Sequence, residues 1–164
     1  ELTLAGPHVF SGYFERPEET AETLKDGWLW TGDLAVVDED GFFTIVGRRK
    51  EMFVSGGENV YPSEVEAAIY DHPAVAECAV LGVPDPRWGE VGLAAVVLRE
   101  GARLEADGVR AFLKERLASY KVPKHVRFLD ALPVSGAGKV LTRQLRDDFV
   151  ARQAAAQAAD GSAA

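Results

Sequence analysis

The clearest candidate for chemistry in this sequence is Lys139, which lies in a glycine-containing stretch at residues 132–140 (LPVSGAGKV). A lysine ammonium is protonated at neutral pH, since a free lysine titrates near ~10.4, and it can stabilise negative charge in a binding site. The phosphate loop of ATPases, G-x-x-x-x-G-K-[ST], does not fit, because Pro133 occupies its first glycine position and Val140 its hydroxyl position. Taken alone, Lys139 could equally be a solvated loop lysine.

Two further loops combine glycine with groups that could bind a ligand. Residues 55–59 (SGGEN) directly precede a predicted helix start, where backbone N–H groups can hold a phosphate. The G-x-G-x-x-G order of a dinucleotide fold is absent, and a tight turn with positive φ at Gly56 and Gly57 is compatible with either interpretation. Trp88 follows Arg87 in a loop bounded by prolines and glycine. Such a tryptophan indicates a binding surface or a side chain that packs the loop onto its domain.

Charged residues in the first third of the chain form a third group of candidates. Asp33 stands in residues 31–34 (TGDL), and an ionised carboxylate can only accept hydrogen bonds. Aspartate after glycine is also common in turns. Arg48 begins the run at residues 48–50 (RRK), and its guanidinium presents donors in a fixed fork that suits sugar and phosphate oxygens. A solvated charge is the alternative for each residue of this run.

The elements that must position these residues fall into two parts. Residues 34–37 (LAVV) and 42–46 (FFTIV) are β-rich and flank an Asp-Gly pair, which is a strong hairpin signal. Residues 1–46 otherwise indicate hairpin and loop, with no helical period long enough for a core of their own. From residue 51 onward the predicted order is strand, helix, strand, strand, helix, strand, helix.

The second part predicts an α+β fold in which helices cover a small mixed sheet, preceded by a β-hairpin. Pro62 suits the first turn of a helix. The apolar runs at residues 75–83 and 91–98 predict central strands with both faces covered. Asp107 is expected to cap the next helix, and a short strand at residues 126–129 and an amphipathic helix follow.

Composition narrows the class of protein. A chain of 164 residues suits one compact domain or one domain with an appendage, and its net charge of −8 argues against a nucleic-acid partner. A single cysteine, Cys78, rules out an internal disulfide and favours the cytoplasm. No apolar run approaches the roughly 20 residues that a membrane span needs. The first residue is not methionine, so we expect the sequence to be cut from a longer protein.

Three blocks in fixed order, residues 31–34, 47–62 and 132–140, resemble the C-terminal part of the adenylate-forming enzymes, which comprise acyl-CoA synthetases, peptide-synthetase adenylation domains and luciferases. The resemblance covers about residues 3–149. It implies that residues 1–49 are the trailing segment of a large N-terminal adenylation domain and that residues 50–149 form a C-terminal lid domain. The alanine-rich tail at residues 150–164 is expected to be frayed or disordered.

The resemblance also implies roles for single residues. Asp33 would hold the ribose hydroxyls of the adenylate, and Arg48 would contact the nucleotide. Lys50 matches the hinge about which the lid turns, and Lys139 would stabilise the charge that builds up when a carboxylate attacks the α-phosphate of ATP. Arg49 is expected to be a solvated charge.

A second set of residues would serve coenzyme A. Gly56 and Gly57 would leave room for the pantetheine arm, Trp88 would line its tunnel, and Arg87 is a weaker candidate for a coenzyme A phosphate contact.

The resemblance implies a two-step reaction that uses Mg·ATP, a small carboxylic acid and coenzyme A. An acyl-adenylate forms first, and the thiol then displaces AMP. The fragment alone is expected to be inactive, because the N-terminal domain with its phosphate loop and acyl pocket is missing. Two alternatives stay open: a stand-alone binding module without chemistry, and an adenylation domain that hands its acyl group to a carrier protein.

Overall fold

The computed structural model describes residues 1–161 and divides the chain into two compact units, Glu1–Glu51 and Met52–Ala164. The division falls two residues after the boundary that the sequence predicts between residues 49 and 50. Each unit has its own sheets, so each is described separately.

The first unit consists of short strands and one short helix. Its elements are β1 (Thr3–Leu4), α1 (Pro17–Thr23), β2 (Leu24–Lys25), β3 (Trp28–Trp30), β4 (Asp33–Val37) and β5 (Phe43–Arg48). Strands β1, β3 and β2 form an antiparallel sheet in that order, and β4 and β5 form a separate hairpin. Helix α1 was not predicted: none of its residues is buried, so it has no apolar period, although proline and two glutamates in its first turn are typical of a helix start.

The predicted hairpin at residues 34–46 is confirmed, and its turn shows why the sequence folds there. One carboxylate oxygen of Asp38 accepts hydrogen bonds from the backbone N–H groups of Asp40 (3.0 Å) and Phe42 (2.8 Å). Gly41 has φ of +85°, which glycine adopts without steric cost. The register of β4 and β5 shifts between Leu34 and Ala35.

The second unit contains a mixed sheet and three helices. Its elements are β6 (Phe53–Ser55), β7 (Glu58–Val60), α2 (Pro62–Tyr70), β8 (Val75–Asp85), β9 (Gly89–Leu98), α3 (Ala106–Lys114), a 3₁₀ turn (Ser119–Lys121), β10 (His125–Phe128) and α4 (Thr142–Gly161). The sheet runs β10-β9-β6-β7, and β8 pairs with the other edge of β9. Only the β9–β10 pairing is parallel. The expected α+β class with a small mixed sheet is confirmed.

Helices cover both faces of the β8–β9 hairpin, as the two continuous apolar runs predict. Side chains at alternate positions point to opposite faces of a strand. On one face Cys78 and Val96 belong to a buried cluster with α2 and α3. On the other face Leu81 and Leu93 pack with α4. The two clusters hold the long hairpin between helical layers, which fixes the loop at its tip.

Two helix ends differ from expectation. Helix α3 begins at Ala106 after Glu105, with no side-chain capping hydrogen bond, and Asp107 pairs with Arg110 instead, so the predicted cap is wrong. Helix α4 continues to Gly161, where the sequence predicted a frayed or disordered tail from residue 150. Alanine has the highest intrinsic helix propensity, which accounts for the continuation. Residues 162–164 of that tail lie outside the described residues.

Candidate active site

Asp33 and Arg48, the two predicted nucleotide-binding residues, lie directly opposite each other in the β4–β5 hairpin. Their side chains form an ion pair between Arg48 Nε and Asp33 Oδ1 at 2.9 Å. The pair uses one carboxylate oxygen and one guanidinium nitrogen. The other oxygen of Asp33 and the terminal nitrogens of Arg48 are the atoms with which the pair could hold a hydroxyl or a phosphate.

The backbone around this pair is tied to the start of the chain. Thr31 Oγ1 donates to the Leu2 carbonyl at 2.8 Å and accepts from the Asp33 N–H at 3.1 Å. Gly32, at φ +77°, turns the chain between the two residues. These contacts fix Asp33 at the first position of β4.

A cleft of about 690 Å³ opens within the first unit, and Arg48, Arg49 and Lys50 are among the residues that line it. Arg49 Nε lies 3.5 Å from Glu1 Oε2, so Arg49 has a carboxylate partner of its own. Lys50 is exposed in the turn that follows β5. Glu1, Glu22 and Glu51 also line the cleft, so its lining, to which the predicted hinge residue contributes, carries both signs of charge.

In the second unit, Gly56 and Gly57 form the two-residue turn between β6 and β7. Their φ angles are +61° and +91°, the backbone of a primed hairpin turn. Gly56 is also required by space, because a Cβ built on it would lie 2.6 Å from Cε3 of Trp88. The Gly56 N–H donates to the Trp88 carbonyl at 3.0 Å. The structure thus brings together the predicted glycine strip and the predicted tryptophan.

Asp85 organises the loop that carries Trp88. Its Oδ1 accepts from the N–H groups of Arg87 (2.9 Å) and Trp88 (3.1 Å), and its Oδ2 lies 2.6 Å from Lys124 Nζ. The hydrogen bond from Lys124, with those from the two backbone amides, lowers the pKa of Asp85 to about 2. The Asp85 side chain is 6% exposed, whereas Trp88 is 43% exposed. The loop is therefore held by the buried carboxylate of Asp85, while the indole of Trp88 is exposed to solvent.

A cleft of about 580 Å³ opens beside Trp88 and Gly56. Tyr120, Val122 and Pro123, from a distant part of the chain, also line it. Arg110, Lys114 and Lys124 add positive charge to its lining. Arg87 is absent from the lining, and its guanidinium carbon lies 4.8 Å from the centroid of the Trp88 ring.

Sequence reasoning missed Tyr120 and the basic residues of this cleft. Residues 120–123 (YKVP) predict the end of a helix and a turn of the chain, and the stretch also recurs in the resembled family, but its proximity to Trp88 depends on the tertiary fold. Arg110 and Lys114 are four residues apart on α3, so one helix face carries both. The four-residue spacing of these two basic residues was the feature of the sequence that could have indicated a basic surface on this helix.

Lys139 lies at the end of a short turn that precedes α4, opposite Ser135. The Ser135 N–H donates to the Lys139 carbonyl (2.8 Å), and the Lys139 N–H donates to Ser135 Oγ (3.2 Å). Gly138, at φ +76°, closes the turn. Lys139 is exposed and does not line the cleft beside Trp88. The structure therefore leaves Lys139 free to project outward and does not group it with Gly56 and Trp88.

Within residues 1–161, no group of three or more His, Cys, Asp or Glu side chains is placed to hold a metal ion. In the same part of the chain, no helix is long and apolar enough to cross a membrane.

Comparison with known proteins places these features in a family context. Residues 64–139 match the model of the AMP-binding enzyme C-terminal domain. The chain is 55% identical over 149 residues to a feruloyl-CoA synthase of Amycolatopsis sp, covering 91% of this chain and 30% of that protein. It is 48% identical over 148 residues to a long-chain-fatty-acid–CoA ligase of Bacillus subtilis strain 168, covering 90% and 26%.

Solved structures agree with the sequence matches. The o-succinylbenzoate CoA synthetase of Bacillus subtilis, in complex with an acyl-adenylate intermediate, superposes with a TM-score of 0.82 at 42% identity. The match covers 88% of this chain and 29% of that one. The chain thus spans about 30% of the length of the curated relatives that it matches.

Proposed function

The chain belongs to the C-terminal domain family of the AMP-binding enzymes, and from this premise we propose a function. The chain works as the C-terminal part of an ATP-dependent acid–thiol ligase. In the first step a carboxylate oxygen attacks the α-phosphorus of ATP, giving an acyl-adenylate and pyrophosphate. In the second step the thiol sulfur of coenzyme A attacks the acyl carbon and loses its proton, and AMP leaves with the bond electrons.

One observation carries the choice of thiol acceptor, namely the cleft in which Trp88 lies over Gly56. The indole is exposed and the glycine has no side chain, so the cleft is apolar on one side and open. A pantetheine arm is slender and largely uncharged, and its length suits a narrow passage with apolar walls. The curated relatives described above, a CoA synthase and a CoA ligase, support coenzyme A over a carrier protein or a binding module without chemistry.

Adenylation would use a different set of side chains. The Asp33–Arg48 pair would bind the ribose and a neighbouring phosphate oxygen, and Lys139 would stabilise charge at the α-phosphate. ATP would enter as its Mg²⁺ complex, and we assign the ion no residue of this chain. A hinge at Lys50 would let the second unit present Lys139 in the first step and the Gly56–Trp88 cleft in the second.

The test separates the two steps in the full-length protein. Lys139→Ala should lower the rate of acid-dependent pyrophosphate exchange by on the order of 10²–10³, which is the usual effect of losing one well-placed donor. The same variant should form thioester from a supplied acyl-adenylate at nearly the normal rate. Lys139→Arg is the control that keeps the charge, and it should retain more adenylation than Lys139→Ala.

The reciprocal variant is Gly56→Leu, which adds a side chain at the glycine that lines the cleft beside Trp88. It should slow thioester formation and spare pyrophosphate exchange. Equal losses in both steps for Lys139→Ala, or normal thioester formation by Gly56→Leu, would contradict the assigned roles.

A further inference from the structure

Part of the lining of the cleft beside Trp88 comes from residues 119–124, which comprise the 3₁₀ turn and the three residues after it and which we call the 119–124 wall. Tyr120, Val122 and Pro123 are among the residues of this wall that line the cleft. Lys121, at the centre of the wall, does not line the cleft. The backbone hydrogen bonds of this turn are local, from the N–H groups of Lys121 and Val122 to the carbonyls of Ala118 and Ser119. They do not join the turn to another element, so the position of the wall depends on its side-chain contacts with other elements.

Lys121 makes the first of these contacts, with Glu64 of α2. Its Nζ lies 2.6 Å from Glu64 Oε1 and 2.8 Å from Oε2, and the Lys121 side chain is 19% exposed. The hydrogen bond to Glu64 raises the pKa of Lys121. Glu64 lies in the first turn of α2. The chain runs from the Gly56–Gly57 turn through β7 into this helix, which begins two residues after β7 ends.

Lys124 makes the second contact, with Asp85. Their separation of 2.6 Å joins the end of the 119–124 wall to the carboxylate that also accepts from the N–H groups of Arg87 and Trp88. The wall is thus attached on one side to the element that follows the glycine turn and on the other side to the tryptophan loop.

We infer that the Glu64–Lys121 and Asp85–Lys124 ion pairs set the width of the cleft, and that Glu64 and Lys121 are positioning residues for the thioester-forming step. The inference rests on the proposed function, because it takes the cleft as the passage for the pantetheine arm. Isolated surface ion pairs contribute little, but Lys121 is half-buried and contacts both carboxylate oxygens of Glu64. Dispersion contacts weaken steeply with distance, so a shift of the wall weakens the binding of a slender ligand. The positions of the reacting atoms do not change.

Charge reversal in the full-length protein tests the first pair. Glu64→Lys and Lys121→Glu should each raise KM for coenzyme A on the order of tenfold in thioester formation from a supplied acyl-adenylate, since small misplacements at a distance alter binding strongly. We expect kcat and acid-dependent pyrophosphate exchange to change little. The double variant E64K/K121E should return KM to within about threefold, an incomplete rescue because a lysine in the first turn of α2 opposes the helix dipole.

Glu77→Lys is the matched control, because it makes the same charge change at an exposed residue of β8 that has no ion pair in the described part of the chain. It should leave KM for coenzyme A unchanged. An increase equal to that of Glu64→Lys would assign the effect to net charge and overturn the inference.

Amide hydrogen exchange on the 164-residue chain tests the position of the wall without any reaction. The N–H groups of Lys121 and Val122 donate to the carbonyls of Ala118 and Ser119. Their exchange should be faster in Glu64→Lys and should slow again in the double variant.

The outcomes separate the inference from the proposed function. If the unaltered protein forms thioester and both reversal variants keep its KM, or if both half-reactions fall together, the inference is wrong and the proposed function stands. If the unaltered protein forms no thioester from coenzyme A, the proposed function fails and the inference fails with it.

Discussion

Asp33 and Arg48 show how a contact between two residues changes the interpretation of each. Each residue has a common structural explanation in the sequence, as a turn aspartate and as part of a basic run. The register of β4 and β5 places them opposite each other and joins them in a 2.9 Å ion pair. Arg49, the next residue, contacts Glu1 instead. The ion pair with Asp33 therefore distinguishes Arg48 from Arg49, whereas the sequence alone shows two adjacent arginines.

Asp33→Asn tests the pair at this scale. The amide keeps the shape of the side chain but removes its charge, so KM for ATP in pyrophosphate exchange should rise by about tenfold or more, as expected for loss of a charged hydrogen bond. Asp40→Asn in the same hairpin is the control, because Asp40 is exposed at the turn. Similar KM values for the two variants would exclude Asp33 from nucleotide binding.

Asp85 gives a prediction about pH. Its folded pKa of about 2 lies below the ordinary value of 3.8, so its ion pair and hydrogen bonds stabilise the fold fully above about pH 4 and are lost as the pH falls toward 2. The difference in free energy of unfolding between the unaltered chain and Asp85→Asn, measured with urea, should be constant near neutrality and shrink in that acid range. A difference that is unchanged at the acid end would show that Asp85 is not held as an anion.

At the scale of elements, the β6–β7 turn requires glycine for two reasons, the backbone conformation of the turn and the close approach of another side chain. Gly56 and Gly57 both need positive φ, but only Gly56 lies against another side chain. A Cβ at Gly57 would meet no atom within 4 Å. Substitutions at Gly57 therefore report backbone strain alone, whereas substitutions at Gly56 add a steric clash with Trp88.

Gly56→Ala should lower the free energy of unfolding by about 1–3 kcal/mol more than Gly57→Ala, which is the usual cost of overpacking. Both variants share the strain of a non-glycine residue in the left-handed region. Urea unfolding measures the difference, and combining Gly56→Ala with Trp88→Ala should recover most of it. Equal losses in the two single variants would mean that Trp88 does not press on Gly56.

Elements with a strong local pattern could be predicted from sequence, and long-range contacts could not. The Asp-Gly hairpin, the helix after Pro62 and the two central strands follow from turn chemistry and apolar period. Helix α1 was missed because it buries no residue. The Glu64–Lys121 pair joins positions 57 residues apart, and no local pattern records such a contact.

The same limit applies to the site. The resemblance placed Gly56 and Trp88 near the same ligand, and the structure gives the contact between them. Tyr120 and Lys124 enter the cleft only because residues 119–124 fold back toward the tip of the β8–β9 hairpin. A motif identifies residues within a few positions of each other, whereas the opposite side of a cleft comes from another part of the chain.

At the scale of the molecule, the second unit carries both surfaces to which we assign a step, the turn that bears Lys139 and the cleft beside Trp88. The turn that bears Lys139 precedes α4, which covers one face of the β8–β9 hairpin. The cleft beside Trp88 lies at the tip of that hairpin and at residues 119–124. A domain that carries separate surfaces for two steps can serve both only if it presents them in turn. We propose this alternation as the role of the chain within a longer ligase.

The most direct test measures nucleotide and thioester products together. The full-length protein, given its acid, Mg·ATP and coenzyme A, should form AMP and acyl thioester in equal amounts, and the 164-residue chain alone should release no pyrophosphate. Formation of ADP in place of AMP, thioester formation without ATP cleavage, or adenylation by the isolated chain would contradict the account.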